Sequence, residues 1–517
     1  MSVSEITTFG IQTQLLDRKV VSEEVNVPLE ADSSLQTSEG DVVTLSFAEQ
    51  QNLSDSYVGA QSEYEQTVQG IFSVAHFSKW MGRLFLMGSV LLLIYTYYRA
   101  EIIWHGASSE KYFQYYVISL LGIIFWSVVL QLGQKIRDAI LTVSISLVVG
   151  LYMVEGILTS LGLGQLNSKK IEAAAKLGVE FDERFGHEVL NDLLEEGVDA
   201  QLAGTFFLNL INMHKKGDSD LLLLNGGVSK TTSVGANEGG QFAIYQSDRH
   251  GFNNPDREWD SSKLEWLLIG DSFGHGITVQ PGDDIAGQIR SITKSTTINL
   301  GVGDLGPLAE LAILKEYAEP LKPKNVIWLY FEGNDFKNLL REKEVPILMQ
   351  YLQDNFSQNL IGQQEEIDRI LKEHYAKEAK QAEVTHKTRM ARLYALRNMI
   401  SFGTGSKKSP QIDYEISLFT KILTKAKDRV EAWGGKLSFV YLPSFSRYIE
   451  TVDHDLYSKK SKVIELVKSL NIPVIDIHQK VFVDRPYLNF FPLRIAGHYN
   501  AKGYSEVAKA IVASIEN

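Results

Sequence analysis

Three apolar stretches follow one another early in the chain, at about 82–104, 112–134 and 139–162. The middle one, YFQYYVISLLGIIFWSVVLQLGQ, carries no charge and sits between Lys111 and Lys135. At about 1.5 Å per residue it is long enough to cross a hydrocarbon core of about 30 Å. The first is flanked by Arg83 and Arg99, and its Tyr95, Tyr97, Tyr98 and Trp104 suit a membrane interface. The third contains Glu155, a charge expected near a helix end or against another helix. Residues 79–164 are therefore expected to form about three transmembrane helices, which makes a lipid bilayer one partner.

From Leu264 the pattern changes to short apolar runs alternating with amphipathic segments. LEWLLIG (264–270), TTINLGV (296–302), NVIWLYFEG (325–333), KLSFVYLPS (436–444) and PVIDIH (473–478) read as strands. DDIAGQIRSI, LAELAILKEYAEP, the segments 415–435 and 458–471, and AKGYSEVAKAIVASI read as the helices between and after them. Such alternation predicts an α/β domain with a parallel, doubly wound sheet over 261–517. A charged helical insertion, 337–412, interrupts it, read as a solvated cap or arm or as a lid. The connecting region 165–260 holds two predicted helices. After them comes TTSVGANEGGQFAIYQSDRHGFNNPDREWD, rich in turn formers and expected to wind over a surface.

Charge adds an acidic tail. Residues 1–78 hold 12 Asp or Glu against Arg18 and Lys19, within a chain of net charge −12. The tail reads as disordered, and the balance gives no support to nucleic-acid binding. The chain has no cysteine, which excludes disulfides, thiolate metal sites and a Cys nucleophile. Neither a His-Glu-x-x-His metal motif nor a phosphate loop is present, and no cofactor is expected.

Four short motifs carry the candidate chemistry: Gly270-Asp271-Ser272-Phe273-Gly274-His275-Gly276, Asn299-Leu300-Gly301-Val302-Gly303-Asp304, Glu332-Gly333-Asn334-Asp335 and Gly497-His498-Tyr499-Asn500. The first three fall at the carboxyl ends of the first three predicted strands, where parallel sheets bind ligands. A Ser hydroxyl needs a base to become a nucleophile, and His498 in the last loop is the candidate. A tetrahedral intermediate needs preorganised donors, which the N–H groups of Ser272 and Gly303 and the Asn334 amide can supply. His275 is expected to be non-catalytic, and Asp271 to support the turn. Each motif alone is commonplace; four in this order are not.

These four blocks resemble the Ser, Gly, Asn and His blocks of the SGNH (GDSL-type) hydrolase family, over about 264–342 and 413–517. The resemblance implies a flavodoxin-like three-layer fold and the hydrolysis or transfer of acyl esters. SDRHGFNNPDREW also resembles, more loosely, the lead-in of membrane-anchored bacterial SGNH proteins associated with surface polysaccharides. That likeness implies an acylated glycan or other ester as substrate. It also implies a bacterial inner (plasma) membrane location, with the hydrolase domain on the outer, periplasmic side. One position departs from the family. The acid expected three residues before the histidine is Ile495. Asp335 and Asp484 are candidates to take its place, and Asp271 is a further possible supporting residue. The alternative is a catalytically weak or inactive glycan-binding or assembly protein on the same fold.

Overall fold

The computed structural model describes residues 34–36, 42–44, 74–103, 109–161, 163, 167–203, 221, 224, 226–401, 413–449 and 459–516. It divides into two compact units, Met1–Gly150 and Leu151–Asn517. Most of the tail, to which the expectation of disorder applies, lies outside the described residues. Within it, β1 (Ser34–Gln36) and β2 (Val42–Thr44) pair antiparallel.

The first unit holds α1 (Val74–Tyr97), α2 (Ser109–Gln131) and most of α3 (Gln134–Ser160). Three helices here, Phe77–Ile102, Tyr112–Gln131 and Gln134–Ser160, are long and apolar enough to cross a membrane. The third begins at Gln134, earlier than the apolar run, with the good helix formers Lys135 and Arg137 in its first turn. Small residues bring α1 and α2 together: a Cβ on Gly122 would come 2.6 Å from Ser89 Oγ, and one on Gly82 2.9 Å from Leu130. Where lipid is as apolar as the side chains, such close packing replaces the hydrophobic effect as the association force. Phe85 stacks on Trp126 at 4.6 Å between ring centroids.

The second unit opens with α4 (Ser168–Leu177), ended by Gly178 at φ 67°, and α5 (Gly186–Glu195). Then comes a three-stranded sheet of β3 (Ala200–Leu202), β4 (Thr232–Asn237) and β5 (Phe242–Gln246). β4 and β5 form an antiparallel hairpin. The stretch expected to wind over a surface is thus a strand pair followed by a buried knot. Asp248 lies at 0% exposure and accepts bonds from the His250 and Phe252 N–H groups, Asn254 Nδ2 and Trp259 Nε1. Turn-forming residues are abundant here because a buried carboxylate collects their donors.

The main sheet runs β6 (Trp266–Ile269), β7 (Thr297–Asn299), β8 (Asn325–Phe331), β9 (Lys436–Leu442) and β10 (Val474–Asp476). All its pairings are parallel, in spatial order β10-β9-β8-β6-β7. Counted from β6, this is the flavodoxin-like 2-1-3-4-5 order. The buried strands Trp266–Ile269 and Asn325–Phe331 are nearly continuous apolar runs, as both faces are covered. One face packs Leu267, Ile269, Val326 and Trp328 against α8 (Pro307–Ile313) and α13 (Asp413–Ala432). The other packs Leu268, Ile327 and Leu329 against α7 (Ile285–Thr293) and α15 (Ala501–Glu516).

Between β8 and β9 the chain forms α9 (Asp335–Glu342), α10 (Pro346–Gln350), α11 (Gln364–Lys387) and α12 (Tyr394–Ser401); α14 (Lys459–Ser469) follows β9. The first half of the insertion is no solvated arm. Leu348, Tyr351, Leu360, Ile367 and Leu371 are buried in the core. Glu316 gathers the Tyr351 and Ser357 hydroxyls and the Leu360 N–H. Asp368 accepts from the Ser229 N–H and hydroxyl. The abundance of charge in the sequence hid this one apolar stripe.

Candidate active site

β6 delivers Ser272 at the head of a short helical turn, α6 (Ser272–His275). Asp271 is its cap: the Phe273 N–H donates to Asp271 Oδ1 at 2.9 Å. Gly276 ends the turn at φ 71°, where a Cβ would strike Asp284 at 2.4 Å. Gly301 makes a close backbone approach of its own. A Cβ there would lie 2.4 Å from the His275 nitrogen, so the exit of β7 presses directly on the serine turn. Gly303 is buried in the turn that follows. Asn334 stands immediately before α9.

The lead-in motif braces this region. Asn254 receives the Asn299 N–H at 2.8 Å and returns its amide to the Asn299 carbonyl at 2.9 Å. Asn299 in turn donates to the Gly274 carbonyl and accepts from the Gly301 N–H. Asn253 donates to the His275 carbonyl. Each link pairs a buried polar group that would otherwise be costly.

His498 comes from the loop before α15. Its Nε2 lies 2.8 Å from Ser272 Oγ. Its Nδ1 lies 3.1 Å from Glu238 Oε1, and its backbone N–H donates to Glu238 Oε2 at 2.7 Å. Glu238 was not singled out in the sequence. It sits at the tip of the β4–β5 hairpin, just before Gly239-Gly240, and no local motif marks it. The acids that were singled out lie elsewhere. Asp335 is buried and accepts the Phe331 N–H at 2.9 Å. Asp484 is exposed. Asp271 is engaged with Phe273. Ile495 is half-buried and supplies nothing polar.

The electrostatics fit a proton relay. Burial is the largest influence on His498 and pulls its pKa down. The hydrogen bond and charge of Glu238, with help from Asp271, outweigh it and leave His498 above its usual value, against a smaller pull from Lys170. Burial likewise pushes Glu238 up, but the His498 bond and charge hold it below the usual carboxylate range. Lys170 of α4 also donates to the Asn237 carbonyl at 2.9 Å, one residue from the acid. His275 does something else. It is fully buried, its Nε2 lies 2.7 Å from the Tyr245 hydroxyl, and burial first and the His498 charge second lower it to about 4. A neutral, tethered imidazole is a packing and positioning group. Glu332 is structural as well: it accepts from the Ser444 N–H and Arg447 Nε, both at 2.8 Å, and fixes the loop after β9.

A cleft lined by Glu180, Gly239, Gln241, Gln280, Asp283 and Asn500 borders the neighbours of Glu238 and His498. Among the described residues, His187, Glu188 and His386 could hold a metal ion, their ligand atoms lying within 4.8 Å of one another. They share no residue with the Ser272 site.

No family model and no curated protein matches this chain. Solved structures do resemble it at the level of fold. One is described as a lipolytic protein of the G-D-S-L family from Desulfitobacterium hafniense, with 13% identity and a TM-score of 0.30 over 49% of this chain and 100% of that one. An acetyl xylan esterase, AlAXEase, gives 13% and 0.28 over the same shares. A lipase/acylhydrolase from Enterococcus faecalis gives 14% and 0.29 over 49% and 95%. A likeness this distant leaves the chemistry to be argued from the side chains.

Proposed function

We propose that this chain is a membrane-anchored serine ester hydrolase or O-acyltransferase acting on acyl esters of a cell-envelope polysaccharide. The supporting observation is the continuous contact Ser272 Oγ to His498 Nε2 to Glu238 Oε1, at 2.8 and 3.1 Å. These are the distances that a nucleophile, its base and an orienting acid require.

In this reading His498 takes the Ser272 proton as Oγ attacks the acyl carbonyl. The N–H groups of Ser272 and Gly303 and the Asn334 amide stabilise the oxyanion. Glu238 keeps Nδ1 protonated and offsets the imidazolium charge. His498 then protonates the departing sugar oxygen, leaving the acyl group on Ser272. Water completes a hydrolysis, and a sugar hydroxyl completes a transfer. The apolar helices suit anchorage in a membrane; in this reading that is a bacterial inner membrane with the site on the outer, periplasmic side. The reading of an inactive glycan-binding protein has two motives, Ile495 at the acid position and the long charged insertion, and Glu238 beside His498 weighs against the first.

The test is hydrolysis of a short-chain p-nitrophenyl ester by the full chain in detergent. Wild type should turn over and Ser272→Ala should not. Equal rates would sink the assignment.

A further inference from the structure

Glu155 lies in the part of α3 that belongs to the second unit and is 1% exposed. Its two oxygens accept the backbone N–H groups of Ala395 at 2.9 Å and Leu396 at 2.8 Å. These are first-turn amides of α12, where helix donors lack internal partners and partial positive charge collects. The Tyr152 hydroxyl also donates to the Ala391 carbonyl at 2.9 Å. A Cβ on Gly156 would come 3.7 Å from Met390 Cε, so the end of the insertion lies directly against 152–156.

The faces left open are apolar. Met390, Met399 and Ile400 are 54%, 46% and 68% exposed, and Met153 and Ile157 on α3 are 60% and 57% exposed. Arg392 and Arg397 are exposed beside them. Large apolar side chains with flanking arginines suit a helix lying in the headgroup layer. Glu155 precedes the last residue of α3 by about 7.5 Å of helix axis, close to the margin of a hydrocarbon core. A carboxylate at that depth is costly unless its charge is met, and the start of α12 meets it.

We infer that α12 is an interfacial helix. It lies in the surface of the lipid bilayer with Met399 and Ile400 among the acyl chains and its arginines toward lipid phosphates, and Glu155 is the anchor of its first turn. This rests on the reading of Gln134–Ser160 as a membrane span. The occupant is lipid because the start of α12 is fixed to a helix long and apolar enough to cross a membrane, and both carry exposed large apolar side chains. The catalytic unit thereby gains a second membrane attachment, through the insertion between β8 and β9.

The absence of cysteine allows single-site labelling of the full chain. Ile400→Cys, Met153→Cys and Lys372→Cys, each carrying an environment-sensitive fluorophore, are reconstituted in phosphatidylcholine–phosphatidylglycerol nanodiscs. They are then quenched by nitroxide lipids or by aqueous iodide. Ile400 should be quenched by nitroxide lipid to within about twofold of Met153, and Lys372 by iodide alone. In Glu155→Gln the lipid quenching at Ile400 should fall at least about threefold while that at Met153 holds. Iodide quenching of Ile400 like that of Lys372, with Met153 still in lipid, overturns the interfacial helix. Unchanged quenching in both Glu155→Gln and Glu155→Ala overturns the anchor. Loss of lipid quenching at Met153 as well overturns the membrane reading beneath both.

Discussion

Glu238 holds His498 from 260 positions earlier in the chain, through one bond to the ring and one to the backbone nitrogen. An acid three residues before a histidine would belong to the same loop. This one belongs to a hairpin of a separate small sheet, so the geometry of the site depends on how that sheet docks on the main one.

Removing the acid should therefore cost rate and shift the pH profile. His498 must be neutral to accept the Ser272 proton, and its pKa is raised chiefly because Glu238 outweighs its burial. In wild type, activity should rise with pH through a midpoint above the ordinary histidine value of about 6.5. Glu238→Gln should lower kcat by roughly 10²–10⁴-fold and move that midpoint down. A pH–rate profile with an unmoved midpoint and near-wild-type kcat would contradict the role given to Glu238.

Restoring the expected acid should bring nothing. Nδ1 of His498 is already engaged, so Ile495→Asp should leave kcat within about threefold of wild type. A gain of a hundredfold in ester turnover would mean that Glu238 is not the working partner.

Asn334 should matter to the chemical step and little to binding. Asn334→Ala should reduce kcat by about 10²–10³-fold with KM changed much less, the pattern of a lost oxyanion donor. A pure KM effect in steady-state kinetics would place Asn334 in substrate binding instead.

The lead-in motif is a brace, and its loss should be felt as stability. Asn254→Ala leaves the Asn299 N–H and carbonyl without their partner. It should cost about 1–3 kcal/mol and lower the melting temperature. An unchanged melting curve with lost activity would instead point to direct work on substrate.

Glu342 gives a stability test with a sign. It caps the start of α8 through the Gly306 and Leu308 N–H groups, and burial raises it to about 7. Its folded pKa lies above its unfolded one, so its contribution favours the fold at pH 4 and is lost as pH rises through 7. Glu342→Gln gives up one of the two accepting oxygens, but it carries no charge, so its melting temperature relative to wild type should be higher at pH 8 than at pH 5. The reverse order would contradict a proton on Glu342.

The sheet was legible because its strands are buried on both faces and read as apolar runs between helical segments. The serine turn and the other motifs were legible because strand ends in such a sheet are marked by glycine and small polar residues. Glu238 was not legible. Its neighbours Asn237, Gly239 and Gly240 announce a turn, and nothing local says which imidazole the turn will meet. The buried first half of the insertion was missed for a related reason: Ile367, Ile370 and Leu371 form a narrow apolar stripe within a charged helix, and composition averages it away. Glu155 looked like an ordinary interfacial charge because its partners, the Ala395 and Leu396 amides, belong to the backbone and carry no sequence signature.

The most direct measurement is covalent capture of the nucleophile. A fluorophosphonate should modify Ser272 in the full chain, found by mass spectrometry as one adduct on the Gly270–Gly276 peptide. The reaction should be abolished in His498→Ala and slowed by about 10²-fold or more in Glu238→Ala. An adduct on a different serine, or equal labelling rates in all three proteins, would contradict the Ser272–His498–Glu238 account.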